Sequence, residues 1–169
     1  MKKHLILPLL SVAFVLAGCG KKDEAAGPAS TASAPAAAPA AAAVATIELT
    51  ANDSMKFNQT RFEVNAGQEV KVTMTNLGTM PKVAMGHNFI LLKKGTDLKA
   101  FTDAAIMAAA TDYVPASLAD QIIAHTKLLG PKQSDEVTFK APTEPGEYPF
   151  ICSFPAHYLS GMKGVIVVK

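Results

Sequence analysis

The reading of the chain turns on Cys152-Ser153-Phe154-Pro155-Ala156-His157-Tyr158-Leu159-Ser160-Gly161-Met162. This stretch puts a thiol, an imidazole and a thioether within eleven residues. It follows directly on Gly146-Glu147-Tyr148-Pro149-Phe150-Ile151, a run opened by a turn residue and rich in aromatic and apolar side chains, which predicts a strand. A second imidazole, His87, lies far upstream in Met85-Gly86-His87-Asn88-Phe89. Ligands on one loop just after a strand can converge, and a residue from a neighbouring strand can tie that loop down.

Taken singly, each of these residues has an ordinary explanation. A lone cysteine is usually core, a lone histidine is usually satisfied structurally, and Met162 is one methionine of seven. Their order and spacing together are far more specific. One thiolate, two imidazoles and a weak axial thioether form a donor set that suits a single copper ion. A site that must accept both Cu(I) and Cu(II) with little movement is best held by a rigid frame.

Outward from this stretch, the pattern predicts such a frame. Ile47, Leu49 and Ala51 alternate with Glu48 and Thr50, as on a half-buried strand. Residues 61–65 alternate again and stop at Ala66-Gly67. Val70, Val72 and Met74 repeat the pattern, as do Val137 and Phe139. Residues 87–92 are apolar enough for a buried strand, and residues 164–168 complete the set. Pro149 within its run predicts an edge strand or a bulge. Leu98, Phe101, Ala105 and Ala108 recur at helical spacing, with Thr96 as N-cap and Asp97 in the first turn, and Pro115 opens a second short helical turn. The expected fold is all-β: a sandwich or barrel of seven to eight short strands with a small helical insertion at about 96–119.

The first 45 residues carry most of the chain's excess hydrophobicity and belong to something other than a core. Lys2 and Lys3 precede an apolar run, residues 5–16, too short to span a bilayer, which takes about 20 residues as a helix. The run ends Leu16-Ala17-Gly18-Cys19, which resembles the bacterial lipobox. The expectation is a signal peptide at 1–18 and a lipid anchor to the membrane on Cys19, with an ordinary cleaved signal or a short membrane anchor as the alternatives. Residues 25–45 are almost wholly Ala, Pro, Ser, Thr and Gly, with Pro28, Pro35 and Pro39 interrupting any helix, so 19–45 reads as a flexible tether. The folded domain is then 46–169. Of the two cysteines, one carries lipid on this reading, which leaves Cys152 without a disulfide partner. Without Lys2 and Lys3 the basic and acidic residues balance, so nothing here resembles the basic face of a nucleic-acid binder.

With these residues in view, the chain from about Thr46 to Lys169 resembles the cupredoxins, and among them the azurins, including lipid-anchored ones. The likeness is carried by Met80-Pro81-Lys82, Met85-Gly86-His87-Asn88, the run from Ile123 to Gly130, Cys152-Ser153-Phe154-Pro155-Ala156-His157 and Met162-Lys163-Gly164. It implies a Greek-key topology and a type 1 (blue) copper site. In that site His87, Cys152 and His157 form the equatorial plane, Met162 is a long axial ligand, and the Gly86 carbonyl is a weak axial contact opposite. Asn88 matches the residue that ties the ligand loop and hydrogen-bonds near the cysteine sulfur. The implied role is electron transfer between periplasmic or membrane redox partners, with cytochrome c-type donors and terminal reductases as the partners. The implied place is the periplasmic face of a bacterial membrane. Gly20 after Cys19 favours the outer membrane.

The chain also departs from the azurin pattern. Four residues separate His157 from Met162, where azurins usually have three; the longer loop resembles auracyanin. The usual N-terminal disulfide has no cysteines here, Phe89 stands in place of a tryptophan, and Asn76 in place of a titrating histidine.

Other functions are weighed on residue counts. A trinuclear copper oxidase centre needs many more histidines than the three outside the leader, and a binuclear thiolate-bridged site needs a second cysteine where Ala156 stands. No enzymatic activity is expected. The alternative is copper handling, as chaperone or store, which favours exposed Met- or His-rich tracts, and the tether has none. His125 reads as a surface histidine. Met85, Phe154, Pro155, Ala156 and Leu159 predict an apolar patch around the exposed edge of His157, where a redox partner docks transiently.

Overall fold

The computed structural model describes residues 43–169. The signal peptide, Cys19 anchor and most of the tether expected from the sequence lie outside the described residues. Among the described residues eight strands are formed: β1 (Ala45–Ala51), β2 (Arg61–Val64), β3 (Glu69–Asn76), β4 (Ile90–Leu92), β5 (Ile122–His125), β6 (Ser134–Lys140), β7 (Gly146–Ile151) and β8 (Lys163–Val168). They make a three-stranded sheet ordered β1-β3-β6 and a five-stranded sheet ordered β2-β8-β7-β4-β5. β1 runs parallel to β3 and β2 parallel to β8; the other pairs are antiparallel.

The alternation in the sequence explains the packing. Ile47, Leu49 and Ala51 of β1 and Val70, Val72 and Met74 of β3 are buried in one core with Leu91, Tyr148, Phe150, Ile166 and Val168 of the other sheet. Phe150 is its hub, with ring centroids 5.3 Å from Phe57, 5.9 Å from Phe62 and 5.4 Å from Phe89. A fully buried phenylalanine of this kind contributes about 1.5–3 kcal/mol by area, and truncating it to alanine costs about 3–5 kcal/mol.

β4 and β7 are covered on both faces. Ile90, Leu92 and Ile151 point away from the main core and pack with Phe101 in a second cluster. That double burial is why residues 87–92 read as a continuous apolar run and not as an alternation. The helix that supplies Phe101 is α2 (Leu98–Ile106); a single turn, α1 (Lys82–Met85), precedes β4, and two 3-10 turns cover Ala109–Thr111 and Ala116–Gln121. The helical insertion falls where the periodicity placed it, and Pro115 opens its last turn.

Three local expectations are corrected. The α2 N-cap is Asp97, whose Oδ1 accepts the N–H groups of Lys99 and Ala100, both at 3.0 Å. Thr96 is still in the preceding turn, its N–H donating to the Lys93 carbonyl at 3.2 Å, so the chain enters the helix one residue later. The strand expected from His87 starts only at Ile90. Pro149 lies in β7, an interior strand with no bulge against β8. Because the Cys152 N–H faces β8, alternation turns the Pro149 nitrogen to the opposite edge, where the pairing with β4 has already ended at Leu91↔Phe150. The missing donor therefore costs no ladder bond.

Candidate metal centre

The site lies at one end of the sandwich, where β7 ends and β8 begins. These two strands are antiparallel neighbours with Ile151↔Lys163 as their last pair, so the residues just beyond, Cys152 and Met162, are held side by side. The Cys152 N–H donates to the Met162 carbonyl at 3.1 Å, and the Met162 N–H donates to the His157 carbonyl at 2.9 Å. One short loop thus brings three of the sequence-predicted residues together. His87 arrives from the other flank of β7, between α1 and the neighbouring strand β4. It exchanges two backbone hydrogen bonds with Leu129: His87 N–H to the Leu129 carbonyl at 3.1 Å, and Leu129 N–H to the His87 carbonyl at 2.8 Å.

The side-chain donor atoms of His87, Cys152 and His157 all lie within 4.8 Å of one another. Cys152 Sγ is 3.4 Å from His157 Nδ1 and 4.0 Å from the Gly86 carbonyl oxygen. All of these residues are buried, as is Met162. His157 is only 2% exposed, so the exposed ring edge expected from the sequence is reduced to a sliver. Gly86 is tightly enclosed: a Cβ there would stand 2.8 Å from the Lys82 carbonyl oxygen and 2.9 Å from the Leu128 side chain.

The electrostatics follow from burial. The Cys152 thiol is pushed up to about 12 by desolvation, against which the Asn88 and Phe154 backbone N–H groups pull down. Burial, and then the neighbouring His87, push the His157 imidazole down to about 4. Burial also lowers His87, offset in part by the nearby Asn52 carbonyl and the Asp53 carboxylate. Both imidazoles are therefore neutral at pH 7 and present lone pairs.

Among the described residues neither ring nitrogen of His87 has a hydrogen-bond partner. A buried polar group left in that state costs about 1–3 kcal/mol, and structures rarely carry one without a reason. A metal ion supplies the missing partner, and the thiol-plus-imidazole donor set fits a soft, borderline ion such as copper. One such trio is formed among the described residues, in keeping with one ion per chain.

Residues around the trio hold it in place. Asn88 binds Ser153 twice, accepting the Ser153 N–H on Oδ1 at 2.9 Å and donating from Nδ2 to Ser153 Oγ at 2.9 Å. The Phe89 N–H donates to Thr126 Oγ1 at 3.0 Å. Phe154 packs on His157 at 4.7 Å between centroids and edge-on to Tyr113 at 5.1 Å. Asn76 is buried and structural: it donates to the Leu129 carbonyl at 3.2 Å and accepts the Gly78 N–H at 2.8 Å. His125 is exposed at the end of β5, away from the trio. The sequence reading places Ser153, Leu129 and Thr126 within the family motifs but gives them no role, and it does not single out Asp53. Ser153 adjoins the cysteine, which could have marked its role; the bonds of Thr126 and Leu129 to residues of the His87 segment, and the place of Asp53, have no local pattern.

A thiol and two imidazoles gathered at the end of an eight-stranded, two-sheet sandwich define a copper protein of the blue type. The chain belongs to the plastocyanin/azurin family of copper-binding proteins, whose profile matches residues 43–169. It is 41% identical over 125 residues to an azurin of Achromobacter denitrificans, covering 72% of this chain and 81% of that one. An azurin of Alcaligenes faecalis is 37% identical, covering 71% of this chain and 94% of its own. Outer membrane protein H.8 of Neisseria meningitidis is 39% identical over 115 residues, with 67% of this chain and 61% of that protein covered. Among solved structures, auracyanin from the photosynthetic bacterium Roseiflexus castenholzii superposes with a TM-score of 0.67 at 40% identity, covering 76% of this chain and 98% of that one.

Proposed function

We propose that the protein is a one-electron carrier in which His87, Cys152 and His157 bind copper, with Met162 and the Gly86 carbonyl as weak axial contacts. Copper supplies the electron by cycling between Cu(I) and Cu(II). The chain supplies the rest. The observation that carries this reading is that three donor atoms, all buried, converge within 4.8 Å. Catalytic metal sites keep a position open to substrate. Here the donors are enclosed by Phe154, Leu128 and the loop itself, which favours a carrier over an enzyme. The backbone bonds to Leu129 and the Asn88–Ser153 pair hold the donors in one arrangement before and after the electron moves.

Electrons then enter through the surface nearest His157. Leu159 is 81% exposed, with Ala156 exposed and Pro155 half-buried in the ligand loop; before His87 in the chain, Val83 is 88% exposed, Ala84 is exposed and Met85 half-buried. This apolar surface suits brief docking of redox proteins, for which we propose cytochrome c-type donors and terminal reductases. Residues 1–19, and the likeness to a protein named for the outer membrane, support a lipid-anchored protein on the periplasmic side.

The test is the visible spectrum of the purified protein with Cu(II), followed by voltammetry. An intense blue thiolate band, lost in Cys152→Ser, with a reversible one-electron wave supports the carrier. A colourless protein after copper addition sinks the site. A blue protein without reversible exchange points to copper handling instead.

A further inference from the structure

The loop from His157 to Met162 satisfies most of its own backbone. The Ser160 N–H donates to the Ala156 carbonyl, Gly161 to Tyr158 and Met162 to His157, each at 2.9 Å, and Lys163 to Gly161 at 3.0 Å. The Ser160 carbonyl receives none of these. It receives Lys56, 104 positions earlier, whose ammonium donates to it from the turn between β1 and β2. Among the described residues no other side chain hydrogen-bonds into residues 158–161 from outside the loop.

The lysine and the loop are matched. Gly161 has φ +91°, a conformation that disfavours any other residue, and a Cβ there would stand 2.7 Å from Lys56 Nζ. The glycine both shapes the loop and leaves room for the ammonium. The base of the lysine is equally fixed. Phe57, next in the chain, is buried in the core against Phe150. On the other side, Asp53 accepts the Thr79 N–H and Oγ1–H, each at 2.9 Å. The Thr50 N–H donates to Asn58 Oδ1 at 2.8 Å. Lys56 therefore reaches the loop from an anchored turn.

A thioether binds copper weakly and at long range. Its position is set by the backbone that carries it more than by the bond it makes. We infer that Lys56 is a positioning residue: by holding the Ser160 carbonyl it fixes the loop that presents Met162, and so tunes the axial side of the metal. The inference rests on the reading of Met162 as an axial contact.

The test uses the full chain with copper bound, as Lys56→Met, Lys56→Arg and Met162→Leu. Lys56 is exposed, so both of its variants fold. Lys56→Met is expected to change the electron paramagnetic resonance spectrum and the ratio of the visible bands, and to shift the reduction potential. The shift persists in about 0.5 M salt, where the effect of an exposed charge alone is screened. Lys56→Arg restores wild-type spectra. In the metal-free and Cu(I) forms, amide exchange at Gly161 and Met162 quickens about tenfold or more in Lys56→Met, because the loop opens locally. Wild-type spectra and exchange in Lys56→Met overturn the inference, as does a potential shift that vanishes in salt with the spectra unchanged. If Met162→Leu has the wild-type spectrum, the axial assignment itself fails, and the inference with it. A changed Met162→Leu beside an unchanged Lys56→Met fails the inference alone.

Discussion

Asn88 and Ser153 stand 65 positions apart and hold each other twice, N–H to Oδ1 and Nδ2 to Oγ, each at 2.9 Å. The pair staples the residue after His87 to the residue after Cys152, so the two halves of the metal site cannot separate without breaking both bonds. Asn88→Ala leaves the buried Ser153 N–H without its acceptor. It is expected to cost about 2–3 kcal/mol in urea unfolding of the metal-free protein. Copper affinity, read by competition with a chelator, falls about 10–100-fold. Stability and affinity both unchanged would show that the staple does nothing.

Copper uptake releases a proton that can be counted. The Cys152 thiol, pushed up to about 12 by burial, is protonated at pH 7 and must lose its proton to bind metal. The two imidazoles are already neutral and contribute none. Calorimetry in buffers of different ionisation enthalpy should find about one proton per copper, and affinity should rise about tenfold per pH unit through neutrality. A value near three would mean that both histidines carry protons in the metal-free fold.

The metal-free protein should weaken in acid over a defined window. Unfolded imidazoles take up protons near 6.5, whereas His157 in the fold resists protonation down to about 4, and His87 is shifted in the same direction. Between these values the unfolded chain holds more protons, so lowering the pH favours unfolding. The contribution is complete above pH 6.5, drains as pH falls through the window, and is gone below 4. Urea midpoints of the metal-free protein across this range test it, and His157→Gln should flatten the slope.

Charge placed on the apolar end should slow electron exchange without disturbing the metal. Val83 and Leu159 are among the most exposed large apolar side chains described. Val83→Glu and Leu159→Glu should each change stability by less than about 0.5 kcal/mol. The copper spectrum should stay as it is, while the bimolecular rate with a redox partner drops about tenfold, in keeping with a small docking surface. Wild-type rates in both variants would move docking elsewhere.

Much of this was legible in the chain because its two signals are local. The period-two alternation of Ile47, Leu49 and Ala51, or of Val70, Val72 and Met74, records one buried face. The spacing of Cys152, His157 and Met162 survives folding because β7 and β8 are neighbours. What escaped depends on distant partners. Thr96 and Asp97 are both capable caps, and only the Thr96 bond to Lys93 decides between them. Pro149 sits inside a sheet because the pairing of β7 with β4 ends one residue short of it, a fact about another strand. Leu129 and Lys56 act on the site through a backbone pair and a long side chain, and neither leaves a pattern in its own neighbourhood.

The pairing of β2 with β8 carries a consequence for timing. Arg61 lies opposite Val165, so β2 waits for a strand 104 positions further along before it has a neighbour. Until β8 is available, β2 has no edge to join and Met162 has no strand to follow it. Contacts so far apart along the chain close late and slowly. The centre is therefore incomplete until β8 has joined β2 and β7, and a chain in which that pairing has not formed has no finished pocket with which to take up metal.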